Sequence, residues 1–366
     1  MENRYFKLYA HCIPVRGFLR SSICDLQRED IYYIPNEIAE ILTIEESVPL
    51  TGLFERYPER KDLLTQYIHY FLEHQLGFFT QTPDSFPAMD MKWDEPSYIS
   101  NAIVDIDDKH QVNFKDIFNG LRKVGCRHIQ VRFFRPSTPD ELTGMLDLLD
   151  STMFKSIEII VAYSDEIGAD FYEYLITGYK RIKSIFVHSS PITRIHRIVD
   201  KEIGYGTNMG NIVYTEQPIL SNACCGVINP LTFSVNIKTF TEAQQFNTCL
   251  NKKVGIDTNG DIKNCPSGKE VFGNIYKDDL ELALKSNPAY EAMWHLKKND
   301  FKACSDCEHR FVCVDCRMFL SDPNDKLSKP LKCGYDPYSV QWRADSSANE
   351  MFGFDTIEPF NQIIAM

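Results

Sequence analysis

CSDCEHRFVCVDC, residues 304–316, is the stretch that decides the fold of this chain's last third. It belongs to a longer pattern, which reads Cys249-x10-Gly260-x4-Cys265, then Cys304-x2-Cys307-x5-Cys313-x2-Cys316, and finally Cys333. Thiolates at such short intervals reach one metal centre only when the loops between them fold tightly around it. The array therefore predicts a metal-binding domain in this part of the chain.

Three kinds of chemistry compete for these cysteines. Tetrahedral zinc sites use thiolates at this spacing, and iron-sulfur clusters take four thiolates each. Disulfides are disfavoured, because the chain opens with residues 1–5 without the charged and apolar pattern of a secretory leader, which predicts a reducing compartment. Two clusters need one thiolate more than the array holds, and Cys224 and Cys225 lie just upstream to supply it.

The order of the cysteines resembles the SPASM domain, an auxiliary-cluster module found behind radical S-adenosylmethionine (SAM) enzymes that mature peptides. Gly273-Asn274-Ile275 resembles the short turn that this family places between the halves of its pattern. One spacing departs from the family, which usually has one more residue between Cys313 and Cys316. The resemblance implies two [4Fe-4S] clusters, one held by Cys225, Cys249, Cys265 and Cys316, the other by Cys304, Cys307, Cys313 and Cys333. Cys224 is the alternative to Cys225.

Local patterns around the array predict a hairpin and two short helices. Asn259-Gly260, between the alternating runs 252–257 and 261–265, is a strong hairpin signal because both residues tolerate positive φ. Such a hairpin sets Cys249 near Cys265. The segment 278–298 has apolar residues at helical recurrence but is interrupted by Pro288, which predicts two helices rather than one.

The composition is that of an ordinary globular protein with room for several hydrophobic cores. The chain has 366 residues, of which 43% are hydrophobic and 25% are charged. Its net charge of -12 argues against broad nucleic-acid binding, and no apolar run approaches the roughly 18 residues that predict a membrane span. We predict domains at 1–90, 91–222 and 223–345, followed by a C-terminal tail at 346–366.

The first domain combines short strands with an amphipathic helix. The pattern predicts three strands and then two helices, at 6–15, 22–27, 31–34, 37–42 and 60–76. Gly77 is expected to close the last helix. This order resembles the RiPP recognition element, a winged-helix-like module that binds the leader of a ribosomally made peptide (RiPP) by strand addition. A domain that only packs on the rest of the chain is the alternative.

The middle domain alternates strands with helices, which predicts an α/β fold with a parallel sheet, here as a partial (β/α) barrel of the radical SAM type. Strands are predicted at 98–106, 129–134, 156–162, 184–188 and 211–215, with helices at 114–124, 139–150 and 169–179. The family's Cys-x3-Cys-x2-Cys motif is missing from the sequence, and Asp105-Ile106-Asp107-Asp108 follows the first strand in its place. Because SAM cleavage needs an iron with an open coordination position, we expect no SAM cofactor and no radical catalysis.

Other reactive residues have simpler interpretations. Cys12, Cys24 and Cys126 are predicted to be packed thiols. The acids Asp105, Asp107 and Asp108 predict a solvated loop, and scattered histidines are expected to be structural. One group of basic residues is a candidate for clamping a carboxylate, namely Arg127, Arg132 and Arg135.

As a whole, the chain resembles a SPASM-type peptide maturase of the grasp-with-spasm systems, in which a SPASM domain follows a degenerate barrel. The opening residues 5–9 and the segments 12–15 and 24–27 fit that family. The resemblance implies a cytoplasmic bacterial protein that binds a precursor leader and assists an ATP-grasp ligase, with no nucleic-acid or membrane partner. A redox or radical maturase acting on the peptide itself is one alternative, and a C-terminal domain stapled by zinc is another.

Overall fold

The computed structural model of this protein describes residues 4–44, 48–150, 154–199 and 208–343. The tail predicted at 346–366 lies outside these residues. The chain divides into two compact units. Within the described residues, unit 1 comprises 4–94, 228–248 and 295–343, and unit 2 comprises 95–227 and 249–294.

Unit 1 opens with short antiparallel strands. Strand β1 (Tyr5–Leu8) is followed by β2 (Cys12–Arg16), β3 (Arg20–Asp25) and β4 (Asp30–Pro35), and the last three form a sheet in the order β2-β3-β4. The single strand predicted at 6–15 is therefore wrong. The chain reverses between β1 and β2, where the Cys12 amide donates to the Tyr9 carbonyl at 2.9 Å.

Helices α1 (Asn36–Ile44), α2 (Leu50–Arg56) and α3 (Lys61–Glu73) cover this region, and strand β5 (Gly77–Thr80) then pairs with β1. The prediction that Gly77 closes α3 is wrong. Gln75 takes the left-handed conformation after the helix, with φ 54°, and Gly77 opens β5. Gly77 is needed for close approach, because a Cβ there would lie 2.4 Å from the Phe6 ring.

Unit 2 is built on a large sheet that confirms the α/β prediction. Strands β6 (Asn101–Ile106), β7 (His128–Phe133), β8 (Ser156–Ala162) and β9 (Ile182–His188) are parallel neighbours. The connections between these strands contain the helices α4 (Phe114–Lys123), α5 (Pro139–Asp150) and α6 (Ala169–Gly178). Strand β10 (Arg194–Val199), which the sequence patterns missed, pairs in antiparallel with β11 (Asn208–Tyr214), and β11 continues the parallel set beside β9.

The cysteine-rich region adds its hairpin to this same sheet. Helix α7 (Ile237–Gln245) belongs to unit 1, and then β12 (Lys253–Ile256) pairs in parallel with β6. Strands β13 (Asp261–Lys263) and β14 (Gly273–Asn274) complete a nine-stranded sheet. The predicted hairpin is confirmed, but of the pair Asn259-Gly260 only Gly260 has positive φ, at 79°. The two short helices are confirmed as α8 (Leu280–Lys285) and α9 (Pro288–Ala292).

Unit 1 ends with the small antiparallel pair β15 (Tyr335–Asp336) and β16 (Gln341–Trp342). One of its apolar cores joins β2 and β3 to α7 and to the segment before β15, and it includes Val15, Cys24, Phe240, Phe311 and Val312. The N-terminal sheet thus shares a core with the segment that carries residues 304–316. Within the described residues, no helix has the length and apolar character needed to cross a bilayer.

Candidate metal centres

Four cysteines of unit 1 form the first thiol cluster, which we name site II and define as Cys304, Cys307, Cys313 and Cys333. Turn hydrogen bonds shape their loop, since the Cys307 amide donates to the Cys304 carbonyl and the Cys313 amide to the His309 carbonyl, each at 3.1 Å. Cys304 interacts electrostatically with Cys333, and Cys313 interacts with both. Cys307 interacts with Cys313 and Cys304. Each of the four thiols therefore lies within electrostatic range of at least two of the others.

A buried lysine lies next to site II and donates a hydrogen bond to one of its sulfur atoms. Lys298 is 3% exposed, and its Nζ donates to Cys313 Sγ at 3.0 Å and to the Val314 carbonyl at 2.9 Å. Burial lowers the pKa of Lys298, but attraction to Cys313, Asp315 and Cys304 outweighs it, so the pKa is raised. Lys298 thus remains an ammonium ion beside the sulfur atoms.

The thiols of site II resist ionisation on their own. Burial raises the pKa of Cys313 to about 11, even though Lys298 lowers it, and burial with the nearby Glu308 raises that of Cys307. Several thiolates crowded in a poorly hydrated interior need a compensating centre of positive charge. Four thiols are the number of ligands that a zinc ion or an iron-sulfur cluster takes.

Three cysteines of unit 2 form a second cluster, which we name site I and define as Cys225, Cys249 and Cys265. The half-buried Lys253 lies at the start of β12, with Nζ 3.7 Å from Cys249 Sγ. Burial lowers the pKa of Lys253, but attraction to Cys249, Cys265 and Cys225 outweighs it and raises the pKa. The hairpin thus does what its sequence predicts, because it brings Cys249 and Cys265 to one ammonium group.

The predicted ligand sets include two further cysteines, Cys224 and Cys316. Cys224 Sγ is 3.8 Å from the Pro218 carbonyl oxygen, whereas Cys225 faces Lys253. Cys316 is buried in unit 1. Its assignment to the cluster with Cys225, Cys249 and Cys265 stays a prediction. All twelve cysteines lie among the described residues and are free thiols.

Asp105 and Arg132, on β6 and β7, form an ion pair inside unit 2. Their closest atoms are 2.6 Å apart, and the two residues are 2% and 4% exposed. The prediction that Asp105 belongs to a solvated loop is therefore wrong, because the residue lies within the strand and not after it. Arg132 also interacts electrostatically with Cys225 and Cys265, so it adds positive charge near site I.

The other candidates have structural partners. Cys12, Cys24 and Cys126 are buried, as predicted for packed thiols. Arg135 is held by Glu141 through two hydrogen bonds of 2.8 and 2.6 Å. His188 is fully buried, with Nε2 3.1 Å from the Phe133 carbonyl oxygen.

Sequence reasoning missed the charged residues around the thiols. Lys253 and Lys298 follow no motif, and Glu308 stands out only because it separates Cys307 from His309. The position of Lys253 near the thiols could have been predicted, because it lies in the hairpin only four residues after the candidate ligand Cys249. For Lys298, nothing in the spacing distinguishes it from the exposed lysines nearby.

Comparison with known protein families gives one match, which covers part of the cysteine-rich region. Residues 248–308 match the SPASM family, described as an iron-sulfur cluster-binding domain. No curated protein matches the chain.

Three crystal structures of SuiB from Streptococcus suis show low similarity to this chain. SuiB bound to S-adenosylmethionine is 12% identical, with a TM-score of 0.32, and the match covers 90% of this chain and 98% of that one. SuiB alone is 13% identical and SuiB bound to precursor peptide SuiA is 12% identical, each with a TM-score of 0.30 and coverage of 87% and 95%. Similarity at this level carries no argument about fold or function. The family match shows that residues 248–308 are similar to the SPASM iron-sulfur cluster-binding domain, as their cysteine pattern predicts.

Proposed function

We propose that this protein is an iron-sulfur protein of ribosomal peptide maturation, which binds a precursor leader and assists an ATP-grasp ligase. The observation that supports the proposal is site II, where four thiols lie within electrostatic range of one another and the buried ammonium of Lys298 donates to Cys313. Together with the SPASM match over 248–308, this donor set favours an iron-sulfur cluster over zinc. The domain division at 1–90, 91–222 and 223–345 is part of the proposal.

Two [4Fe-4S] clusters are proposed, one at site II and one at site I with Cys316 as its fourth ligand. When bound, such clusters supply a structural crosslink or a one-electron carrier. The protein's contribution is the positive charge of Lys298, Lys253 and Arg132, which offsets the negative charge of the thiolates. Fully ligated clusters leave no open iron for SAM, and the sequence lacks the three-cysteine motif that would supply one.

Leader binding is proposed for the N-terminal part of unit 1. Strand β4 pairs with β3 along one side, and no described strand pairs with its other side, so that edge is suited to strand addition. A leader strand on β4 would present alternate side chains to the two faces of the sheet.

The metal content tests the cluster proposal. We expect anaerobically purified protein to hold about eight iron and about eight sulfide per chain, four of each for every cluster. Cys307→Ser should lose about half of the iron, whereas Cys126→Ser, which alters a buried thiol outside both sites, should retain all of it. Stoichiometric zinc without sulfide would contradict the proposal and favour the zinc-stapled alternative.

Peptide binding and catalysis are tested separately. The precursor and the ligase encoded beside this protein should be retained by it in a pulldown, and the isolated precursor should bind in a fluorescence polarisation assay. Under reducing conditions the cluster-loaded protein should leave SAM intact. Cleavage of SAM would instead establish the radical maturase alternative, and failure of the precursor to bind would remove the leader-binding role.

A further inference from the structure

The N-terminal sheet is hydrogen-bonded to the ligand loop of site II, and both lie in unit 1. From β3, Arg20 Nε donates to Glu308 Oε1 at 2.7 Å and Ser22 Oγ donates to the Glu308 carbonyl at 2.8 Å. From β4, the Tyr33 hydroxyl is 2.8 Å from His309 Nε2. Glu308 and His309 directly follow Cys307, so these bonds end next to a site II thiol.

His309 also contacts the sulfur atom of Cys307. The His309 amide donates to Cys307 Sγ at 3.4 Å, and His309 Nδ1 lies 3.8 Å from the same sulfur. Tyr335, two residues after Cys333, donates its hydroxyl proton to the Glu308 carboxylate. Two ligand positions of site II are therefore connected to one hydrogen-bonded set, which we name the Glu308 network, consisting of Arg20, Ser22, Tyr33, Glu308, His309 and Tyr335.

The centre of the Glu308 network is closed to water. Glu308 and His309 have side chains that are 1% and 2% exposed. The Arg20 guanidinium stacks on the Tyr33 ring at 3.6 Å from its centroid, so β3 and β4 are joined to each other as well as to the loop. In such surroundings an unmade hydrogen bond is more costly than at the surface, because water does not replace the lost partner.

Strand β4 faces two different structures. Tyr33 points toward the site II loop, whereas the neighbouring Tyr32 packs on α3, with its ring 6.4 Å from Tyr70 and 5.2 Å from His74. Adjacent residues of a strand point to opposite faces, so the conformation of β4 depends on both contacts. The site II loop is thus hydrogen-bonded to β4, which is one of the two edge strands of this sheet.

We propose that the occupancy of site II is coupled through the Glu308 network to β4, so that a filled site II holds β4 ready to accept a peptide strand. This inference rests on the proposed function, because it makes leader binding depend on metal loading. Coupling of this kind is reciprocal: whatever loosens β4 also loosens site II. Two measurements test it, and neither requires the peptide.

The first measurement is the rate at which iron leaves the loaded protein in excess chelator. Tyr33→Phe removes one oxygen atom and with it the hydrogen bond to His309. The iron of site II should then be lost about fivefold faster, which is the factor expected for one hydrogen bond. Tyr32→Phe is the matched control, because it removes the same atom from the opposite face of β4 but keeps the ring that packs on Tyr70 and His74, and its rate should equal that of the wild type.

The second measurement is amide hydrogen exchange of β4 before and after the metal is removed. Exchange within Asp30–Pro35 should accelerate on removal, while the central strand β8 of unit 2 should keep its protection. Equal iron loss from the two tyrosine variants, or unchanged exchange in β4, would overturn the coupling. If zinc without sulfide fills the site, the proposed function fails, yet zinc release from the same variants still decides the coupling.

Discussion

Replacing Lys298 by methionine removes a buried positive charge at site II while keeping an unbranched side chain that is only one atom shorter. The Nζ atom lies 3.0 Å from Cys313 Sγ, where two unit charges at an effective dielectric constant of about 20 interact by about 5.5 kcal/mol. An electron added to a four-iron cluster is shared among its corners, so about a quarter of that energy applies, or about 1.4 kcal/mol. Asp315 keeps a partner in the variant, because Arg317 lies 3.3 Å from it.

This energy shifts the reduction equilibrium about tenfold, which is about 59 mV for one electron. We expect the midpoint potential of the site II cluster in Lys298→Met to be more negative by that amount, because the ammonium stabilises the reduced, more negative state. Redox titration followed by electron paramagnetic resonance measures it, after iron analysis has confirmed equal loading.

The control is Lys302→Met, which alters a side chain that is 77% exposed and paired with Asp325, and its potential should equal that of the wild type. An unchanged or more positive potential in Lys298→Met, at full iron content, would refute the reasoning. It would mean that the Lys298 charge is already neutralised by its surroundings and does not act on the cluster.

Three further predictions concern stability. Gly77→Ala should lower the unfolding free energy by about 1–3 kcal/mol through overpacking, whereas Gly144→Ala, with nothing within 4 Å of the added carbon, should not lower the melting temperature. Arg132→Met should cost about 3–5 kcal/mol in urea unfolding because it strands a buried carboxylate, and adding Asp105→Asn should recover most of the loss. Burial lowers the pKa of His188 below its ordinary 6.5, so protons bind the unfolded state preferentially and stability falls as pH drops below 6.5. His188→Gln should flatten that pH dependence, measured as the unfolding free energy between about pH 7 and about pH 5.

Much of the fold could be predicted because it follows from patterns among residues that are close together in the sequence. Alternating strands and helices indicated the parallel sheet, and Pro288 correctly divided the segment after β14 into α8 and α9. Errors arose where the pattern was ambiguous. Gly77 was assigned to a helix end, although its role is to let the backbone approach Phe6. Strand β10 has mostly exposed residues, so it gave no clear periodic signal.

The candidate sites divide in the same way. The sequence by itself was enough to predict which thiols belong to a metal-binding array, because ligand spacing along the chain is a local property. Only the tertiary structure decided which charges surround them. Arg20 reaches Glu308 across 288 positions of the chain, and Lys298 is distinguished from its neighbours by burial alone. Electrostatic strength depends on distance in space and on exclusion of water, and neither quantity is encoded in the spacing of residues along the chain.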